Sequence, residues 1–573
     1  MRHLAIGAFA ISVALLSVEA RAAQEDDDAA WGEPAAKPAK KKKGGGDSSS
    51  AQAKSTPAAA SEPVAAELPL PAAPDEGVPR EVGHEAAPPA DKTAGSEKPP
   101  EAQEEEAPIQ AEATEQLPAP QRPPVYGKRS NWNITPYGYA RFDGIEDNTQ
   151  SFEDGIQPNL IQRAGTYRGD HRRTIFTARD SRLGVFIGAP DYRGMRTMGQ
   201  LEFDFYGLLP SDARRHDSIV FGTPRIRLAY LKLETPIVDI IAGQYYDLFG
   251  WNSYFYPATV AYLGVPAQIY HRNPQLRLEK KFGGAVEITI AAAAVRPGQR
   301  DSGWPEGQAG IKVAVPGWSG AATPGFGRPS LMPLSFGFSG IYRTFELPAF
   351  RAEPGSQAVK THGYGAAVSM LVPIIPVKTI KSRANALTLT GEFSIGTGIA
   401  DMYTFMDGGS RLPLLPNPNQ AQPAIQYPSN IDPGLVTFNR DLKLRSINWT
   451  AFVAGVQYYL PIDKGRIWVA GIYSRIWSNN IKDLTPPPSW GGVFTKMEYF
   501  DANVSIDITP AVVLGLSFQS VKQTFADEAP QTPIFGAIAG PGPDPGGLSD
   551  TTTGGQLAHA RNDRLQLSMS LFF

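Results

Sequence analysis

Residues 564–573, at the carboxyl end of the chain, have the sequence RLQLSMSLFF. Leucine, methionine and phenylalanine occupy the odd positions, and they alternate with Gln566, Ser568 and Ser570. A period of two is typical of a β-strand with one apolar and one polar face. A strand of about ten residues with this pattern suits a membrane-spanning barrel, where the apolar face meets lipid and the polar face meets the lumen.

The same alternation recurs upstream. It is clearest at 198–206, 225–233, 275–280 and 502–508. In 225–233, Ile226, Leu228 and Tyr230 share one face and Arg225 and Arg227 the other. About sixteen such strands fit between residues 131 and 573, so the sequence predicts an all-β, antiparallel transmembrane β-barrel of about 16 strands.

The connections between these strands alternate in length. Short links at 190–193, 235–236, 283–284, 461–465 and 509–510 alternate with long ones at 208–223, 248–273, 398–442 and 525–556. Tight periplasmic turns and long external loops give this arrangement in outer-membrane barrels. Two links that should be short, 316–330 and 374–383, are longer than the rule predicts.

Two other regions precede the barrel domain at 131–573. Residues 1–23 have a basic start, an apolar stretch and the small-x-small sequence Ala20-Arg21-Ala22, as in a secretory signal peptide. Residues 24–130 contain 12 Lys and Arg, 20 Asp and Glu and abundant Pro and Ala. Such a segment buries too little apolar surface to fold, so we expect it to be disordered and to lie in the periplasm.

Composition excludes several classes of protein. The chain has no cysteine, which removes disulfides and thiolate metal sites. A net charge of −3 argues against a nucleic-acid partner. Beyond the first two dozen residues no run of about 18 apolar residues marks a membrane helix. Nucleotide-binding and hydrolase motifs are missing, and the seven histidines are scattered, so we expect no enzyme activity, no catalytic residues, no cofactor and no metal.

Four short motifs resemble a known family. Residues 565–573 resemble the closing strand of Gram-negative outer-membrane proteins, in which the terminal aromatic, here Phe573, is a signal to the barrel-assembly machinery. The sequences ARDSRLG (178–184), IAGQ (241–244) and RNPQLR (272–277) resemble strands of DcaP-like and other trimeric porins. This resemblance implies a homotrimer in the outer membrane, in contact with its lipid and lipopolysaccharide. It also implies that a constriction loop follows residue 247.

Sixteen strands enclose an aqueous lumen, and inward charges set its selectivity. Alternation, together with the resemblance for the strand at 241–244, predicts the following pore-lining residues: Arg141, Arg182, Glu202, Asp204, Arg225, Arg227, Gln244 and Arg277. Guanidinium groups bind carboxylates and phosphates in a fork. The arginines therefore form either a ladder that draws anions through the pore or a scaffold paired with nearby acids such as Asp143 and Asp180, and the sequence leaves both open.

The candidate constriction loop has no charged residue from 248 to 270, and Asp247 lies at its entrance. Its predicted functional residues, besides Asp247, are Trp251, Tyr254, Phe255, Tyr256 and Tyr262. These rings provide either a stacking surface for sugars or aromatic acids, or simple packing of the loop against the wall.

The function that these features predict is passive diffusion of small hydrophilic solutes, with a bias toward anions such as carboxylates and phosphate. One alternative is a structural barrel whose tail (24–130) contacts the cell wall. Another is a channel selective for sugars or aromatic acids.

Overall fold

The computed structural model describes residues 132–152, 154–155, 161–207, 222–251, 254–261, 264–299, 301–323, 327–348, 358–377, 379, 381–404, 406, 431–439, 441, 443–485, 493–526 and 558–573. The signal peptide (1–23) and the disordered segment (24–130) lie outside these residues and remain predictions. Tyr262 of the candidate constriction loop also lies outside them.

Nineteen strands, two single-turn α-helices and one 3₁₀ helix (Ala400–Met402) make up the described secondary structure. The strands of the first half are β1 (Asn133–Asp147), β2 (Arg173–Thr177), β3 (Arg182–Gly188), β4 (Arg196–Gly207), β5 (Thr223–Glu234), β6 (Asp239–Tyr246), β7 (Arg272–Phe282), β8 (Glu287–Val295) and β9 (Glu306–Ala322). Those of the second half are β10 (Ser330–Pro348), β11 (Ala358–Ile375), β12 (Leu387–Thr397), β13 (Val436–Phe438), β14 (Leu444–Ser446), β15 (Asn448–Tyr459), β16 (Ile467–Trp477), β17 (Phe494–Asp507), β18 (Val512–Phe525) and β19 (His559–Phe572).

The helices are α1 (Tyr167–Asp170) and α2 (Ile481–Leu484). Within the described ranges, no helix is long and apolar enough to cross a membrane.

The strands form a closed antiparallel barrel. Each strand pairs with its neighbour, and β19 returns to β1, where Tyr139 faces Phe572 and Asp147 faces Arg564. β2 and β3 both pair with β1 and together form one interrupted barrel strand. β13 and β14 form a separate hairpin, so the barrel has sixteen strands. The predicted fold class is confirmed.

Local departures from the predicted strands have simple causes. The strand predicted at 172–189 is broken at 178–181, where Ser181 donates its amide hydrogen to the carbonyl of Ala178 in a turn. The long link predicted at 316–330 shortens to 323–329, because β9 continues to Ala322 through a register shift opposite Pro333 and Leu334. Alternation alone does not reveal such shifts, because they change the phase of the pattern.

The barrel wall is apolar outside and polar inside. On β19 the outward side chains Leu565, Leu567, Met569 and Leu571 are 44–49% exposed, whereas Gln566, Ser568 and Ser570 are fully buried. A water-soluble protein would bury the leucines instead. The outer surface therefore suits lipid, and the closed ladder leaves no edge strand whose backbone groups would need water.

The seam between β1 and β19 is tight at the carboxyl end. Phe573 and Gly138 exchange backbone hydrogen bonds of 3.1 Å in both directions. A Cβ on Gly138 would lie 2.4 Å from the carbonyl oxygen of Arg182 and 2.8 Å from the ring of Phe573. Glycine is required here because two strands and a terminal ring meet at one point.

We expect Gly138→Ala to destabilise the barrel by about 1–3 kcal/mol through overpacking of the seam. Gly307→Ala is the matched control, because a Cβ at that position meets no atom within 4 Å. The temperature at which the folded band is lost in semi-native gel electrophoresis measures the effect. Equal unfolding temperatures for the two variants would show that the seam has room for a methyl group.

Candidate functional site

Arg141 anchors a buried ion network on the wall near the seam. Its guanidinium donates to Asp143 and to Asp180, each at 2.8 Å, and all three side chains are less than 10% exposed. Asp180 reaches Arg141 because the break between β2 and β3 turns it toward the lumen, and the backbone amide of Arg141 donates to the hydroxyl of Ser181. The interruption of the second strand therefore serves this network.

The network continues across β4 and β5. Arg227 donates to Glu202 and Asp204 at 2.8 Å each. Arg225 binds Asp204 through two donors, at 3.0 and 2.6 Å. Arg182 lies 3.7 Å from Glu202. Two acids on one strand thus hold three arginines from its neighbours.

Four arginines and four acids make this wall close to neutral. The predicted positions Arg141, Arg182, Glu202, Asp204, Arg225 and Arg227 lie together on it, facing the lumen. Of the two interpretations that the sequence left open, the geometry matches the paired scaffold. The exposed fractions of the side chains still differ, at 33% for Arg225 and 15% for Arg182 but 0% for Glu202 and Asp204.

Gln244 does not line the pore, contrary to the prediction. It pairs with Ala229 and Pro274, on the face opposite to the inward Gln275. On β6 the inward positions are instead Ile241 and Gly243, opposite Arg277 and Gln275. Gln244 lies beside a bulge in β5, where Glu202 pairs with Leu228 and Phe203 with Ile226, so that Arg227 is an extra residue. The side-chain amide of Gln244 donates to the carbonyls of Ile226 and Arg227, at 2.9 and 3.2 Å, and so closes the bulge.

The bulge also reverses the alternation of the rest of β5. Tyr230, predicted on the face opposite Arg227, donates to the inward Gln200 at 2.8 Å. Lys232 therefore faces the lumen as well, where its ammonium lies 3.3 Å from Glu234 and 3.6 Å from Asp239. The extra residue thus places Arg225, Arg227, Tyr230 and Lys232 on one inner surface.

The segment 247–271, here called the inner loop, crosses the barrel interior in its described residues, 247–251, 254–261 and 264–271. Its path is fixed by bonds to inward residues of distant strands. Thr259 donates to Asp501 on β17 at 2.5 Å, and Ser474 on β16 donates to the carbonyl of Pro266 at 2.6 Å. Arg141 on β1 donates to the carbonyl of Val260 at 2.8 Å. The loop that leaves β6 therefore contacts the wall on the opposite side.

Aromatic residues of the inner loop are largely packed against the wall. Trp251, Tyr254 and Phe255 are 2–6% exposed, and the indole nitrogen of Trp251 donates to the carbonyl of Phe338. The ammonium of Lys312 lies 4.0 Å from the ring centre of Tyr254. Of the two roles left open for these rings, packing is the one that their burial supports. Tyr256 is half-buried and makes an edge contact of 5.4 Å with Tyr270.

Asp247 fixes the first residues of the inner loop. It accepts hydrogen bonds from Asn273 at 3.0 Å and Gln308 at 3.4 Å, while Gln308 accepts from the amides of Leu248 and Phe249. Burial alone would lower the pKa of His271, but the hydrogen bond and charge of Asp247 outweigh it, and the pKa lies above its ordinary value. Asp247 thus acts as a structural anchor of the loop.

Arg277 likewise lies beneath the loop. It faces inward, 2.6 Å from Glu279, and its guanidinium carbon lies 5.1 Å from the ring centre of Trp251. Only 3% of its side chain is exposed. Arg277 is therefore an inward residue covered by the inner loop rather than an open surface of the lumen.

A second buried network was missed by the sequence analysis. Arg343 on β10 donates to Glu306 on β9 and to Asp401, with distances of 2.5 and 2.8 Å to the two Asp401 oxygens. Glu392 on β12 accepts from the amide of Ile269 at 2.8 Å and holds the end of the inner loop. The sequence signal for such a network is a single charged residue at an inward position of a strand whose other inward residues are small or apolar.

The described residues contain no group of three or more His, Asp or Glu side chains placed to hold a metal ion.

Arg227→Ala should cost about 3–5 kcal/mol, because Arg227 binds both buried acids and its loss leaves Glu202 with Arg182 at 3.7 Å as its remaining arginine. Arg225→Ala should cost about 1 kcal/mol, because its side chain is one-third exposed and Asp204 keeps Arg227. Unfolding in denaturant, followed by tryptophan fluorescence in detergent, measures both. A larger loss for the Arg225 variant would contradict this assignment.

Comparison with known proteins supports the architecture. No family model matches the sequence, and no curated protein matches it. Among solved structures, the outer-membrane channel DcaP of Acinetobacter baumannii superposes with a TM-score of 0.50 at 15% identity, over 77% of this chain and 97% of that one.

Two other structures are more distant. The anion-selective porin of Comamonas acidovorans has a TM-score of 0.39 at 11% identity, over 77% of this chain and 100% of that one. OprB of Pseudomonas putida has 0.38 at 10%, over 77% and 94%. The comparison with DcaP establishes the fold alone: the chain has the β-barrel fold of an outer-membrane channel.

Proposed function

We propose that the chain is an outer-membrane porin for passive diffusion of small hydrophilic solutes. The observation that carries this proposal is a closed sixteen-stranded barrel with an apolar outer surface, a polar inner surface and a loop folded across its interior. An apolar exterior places such a barrel in lipid, and a polar interior offers water a path across it. The inner loop narrows that path, which limits it to small solutes.

The proposed bias toward anions rests on exposure rather than on net charge. The carboxylates of Glu202 and Asp204 are covered by their arginine partners, whereas Arg225 and Arg182 keep part of their guanidinium surface exposed. A solute that passes this wall therefore meets guanidinium groups first. Carboxylates and phosphate are the anions that guanidinium binds best. Burial of Trp251, Tyr254 and Phe255 leaves little support for selection of sugars or aromatic acids by stacking.

The partners of the barrel are proposals of the same kind. The exposed terminal ring of Phe573 is available to the barrel-assembly machinery before the seam closes, and the apolar exterior would contact outer-membrane lipid and lipopolysaccharide. A homotrimer follows from the resemblance to trimeric porins. In this arrangement residues 24–130 lie in the periplasm after removal of residues 1–23.

Conductance in planar bilayers tests the channel directly. Under a KCl gradient the protein should give steady ohmic steps and a reversal potential that favours chloride. Arg225→Ala should lower the chloride-to-potassium permeability ratio by about two-fold, because it removes an exposed guanidinium and leaves Asp204 in place.

Arg561→Ala is the matched control, since Arg561 is an outward residue paired with Asp563. Its permeability ratio should equal that of the unaltered protein. Folded, inserted protein without conductance would refute the proposal of an open pore.

Deletion of 24–130 separates the porin from the structural alternative. If the barrel is a channel, solute uptake by cells should be unchanged, because the closed ladder and the inner loop are formed by residues between 133 and 572. If the tail tethers the barrel to the cell wall, its deletion should increase the release of outer-membrane vesicles and leave solute uptake normal. Measuring both in the same strain distinguishes the two functions, and loss of uptake in a correctly folded deletion would contradict the independence of barrel and tail.

A further inference from the structure

The inner surface of the barrel is buried along most of its circumference. Eight serines that face inward from β10 to β12 and from β16 to β19 are at most 2% exposed. These residues are Ser335, Ser369, Ser394, Ser474, Ser505, Ser517, Ser568 and Ser570. Two of them are covered by the inner loop directly, because Ser369 donates to the carbonyl of Gly250 at 3.3 Å and Ser474 donates to that of Pro266 at 2.6 Å.

The inner loop supplies this cover along the length of the barrel. Toward the long loops, Phe249 and Ile269 join a core with Met402 and Trp449. Toward the short links, Val260 packs in a cluster with Tyr459, Trp468 and Val513. The half of the barrel from β9 to β19 is therefore filled by apolar packing and by the hydrogen bonds of the inner loop.

The wall from β3 to β6 differs. Inward side chains near both ends of β5 keep measurable exposure, 33% for Arg225 near the long loops and 20% for Lys232 near the short links, whereas Arg227 between them is 2% exposed. Asp239 on β6 is 19% exposed, and Met198 and Tyr230 are half-buried. The partly exposed residues of this wall, Met198, Arg225, Tyr230, Lys232 and Asp239, are here called the β3–β6 strip.

Depth in the barrel does not explain the contrast. Met198, Lys232, Ser505 and Ser570 each lie two residues from the short-link end of their strand. Met198 and Lys232 are partly exposed, whereas Ser505 and Ser570 are 2% and 0% exposed. At equal depth, the wall on which a residue lies decides whether it is accessible.

We infer that solutes cross the barrel off its axis, along the β3–β6 strip, and that Arg225 and Lys232 are the specificity-determining charges of this path. The inference rests on the proposed porin function and adds the location of the path. A solute meets the guanidinium of Arg225 first and then Lys232, which Glu234 and Asp239 flank. The network of Arg343 on the opposite wall is at most 7% exposed and takes no part in selectivity.

The absence of cysteine makes the test direct, because each introduced thiol is the only one in the chain. Four single variants are compared: Lys232→Cys and Met198→Cys on the strip, and Ser505→Cys and Ser570→Cys on the covered wall. Each is treated in the folded state with a charged methanethiosulfonate reagent, which the thiolate attacks to form a mixed disulfide with release of sulfinate. Mass spectrometry measures labelling, and a planar bilayer measures conductance.

We expect both strip variants to be labelled within minutes and to lose about half of their conductance. The two serine variants should remain unlabelled while folded and react fully after unfolding, which also shows that their thiols are competent. Labelling of Ser505→Cys or Ser570→Cys as fast as Lys232→Cys would overturn the off-axis path. Labelling of the strip alone, in a protein that does not conduct, would support the accessible strip and refute the porin function.

Discussion

Inside this barrel a buried charge needs a neighbouring opposite charge or hydrogen-bond donors, because an uncompensated ion in a low-dielectric interior costs several kcal/mol. Glu202 and Asp204 on β4 meet this need for Arg182, Arg225 and Arg227. Asp143 and Asp180 meet it for Arg141. Several irregular features of the wall are explained by these pairs, since the break between β2 and β3 and the bulge in β5 each bring a charged group to its partner.

The second determinant of the interior is the inner loop. Apolar side chains inside a wide lumen would be exposed to water, so burial of Phe249, Trp251 and Val260 against the wall gives the loop a stable position. Buried acceptors secure it at fixed points, with Glu392 on the amide of Ile269 and Asp501 on the hydroxyl of Thr259. The loop therefore packs against one wall of the barrel and leaves the other wall partly accessible.

Much of this arrangement could be predicted from the sequence. Alternation gave the barrel and its sixteen strands, and it placed Arg141, Glu202 and Arg225 on the inner face. It failed at Tyr230, because one extra residue at Arg227 reverses the phase and no composition signal marks a bulge. The prediction for Gln244 was wrong because Ile241 and Gly243 take the inner face of β6. The pairing of arginines with acids from other strands, and the burial of Trp251, depend on contacts between distant residues that a local pattern does not encode.

The bonds of the inner loop also have a mechanical consequence. The loop leaves the wall at β6, touches β17 through Thr259, β16 through Pro266 and β1 through Val260, and returns at β7. A thin cylinder of sixteen strands resists stretching along its hydrogen bonds but flattens easily into an ellipse. A chain segment fastened to opposite sides acts as a cross-brace against that flattening, so the bore keeps its shape when the surrounding membrane is stretched by osmotic swelling.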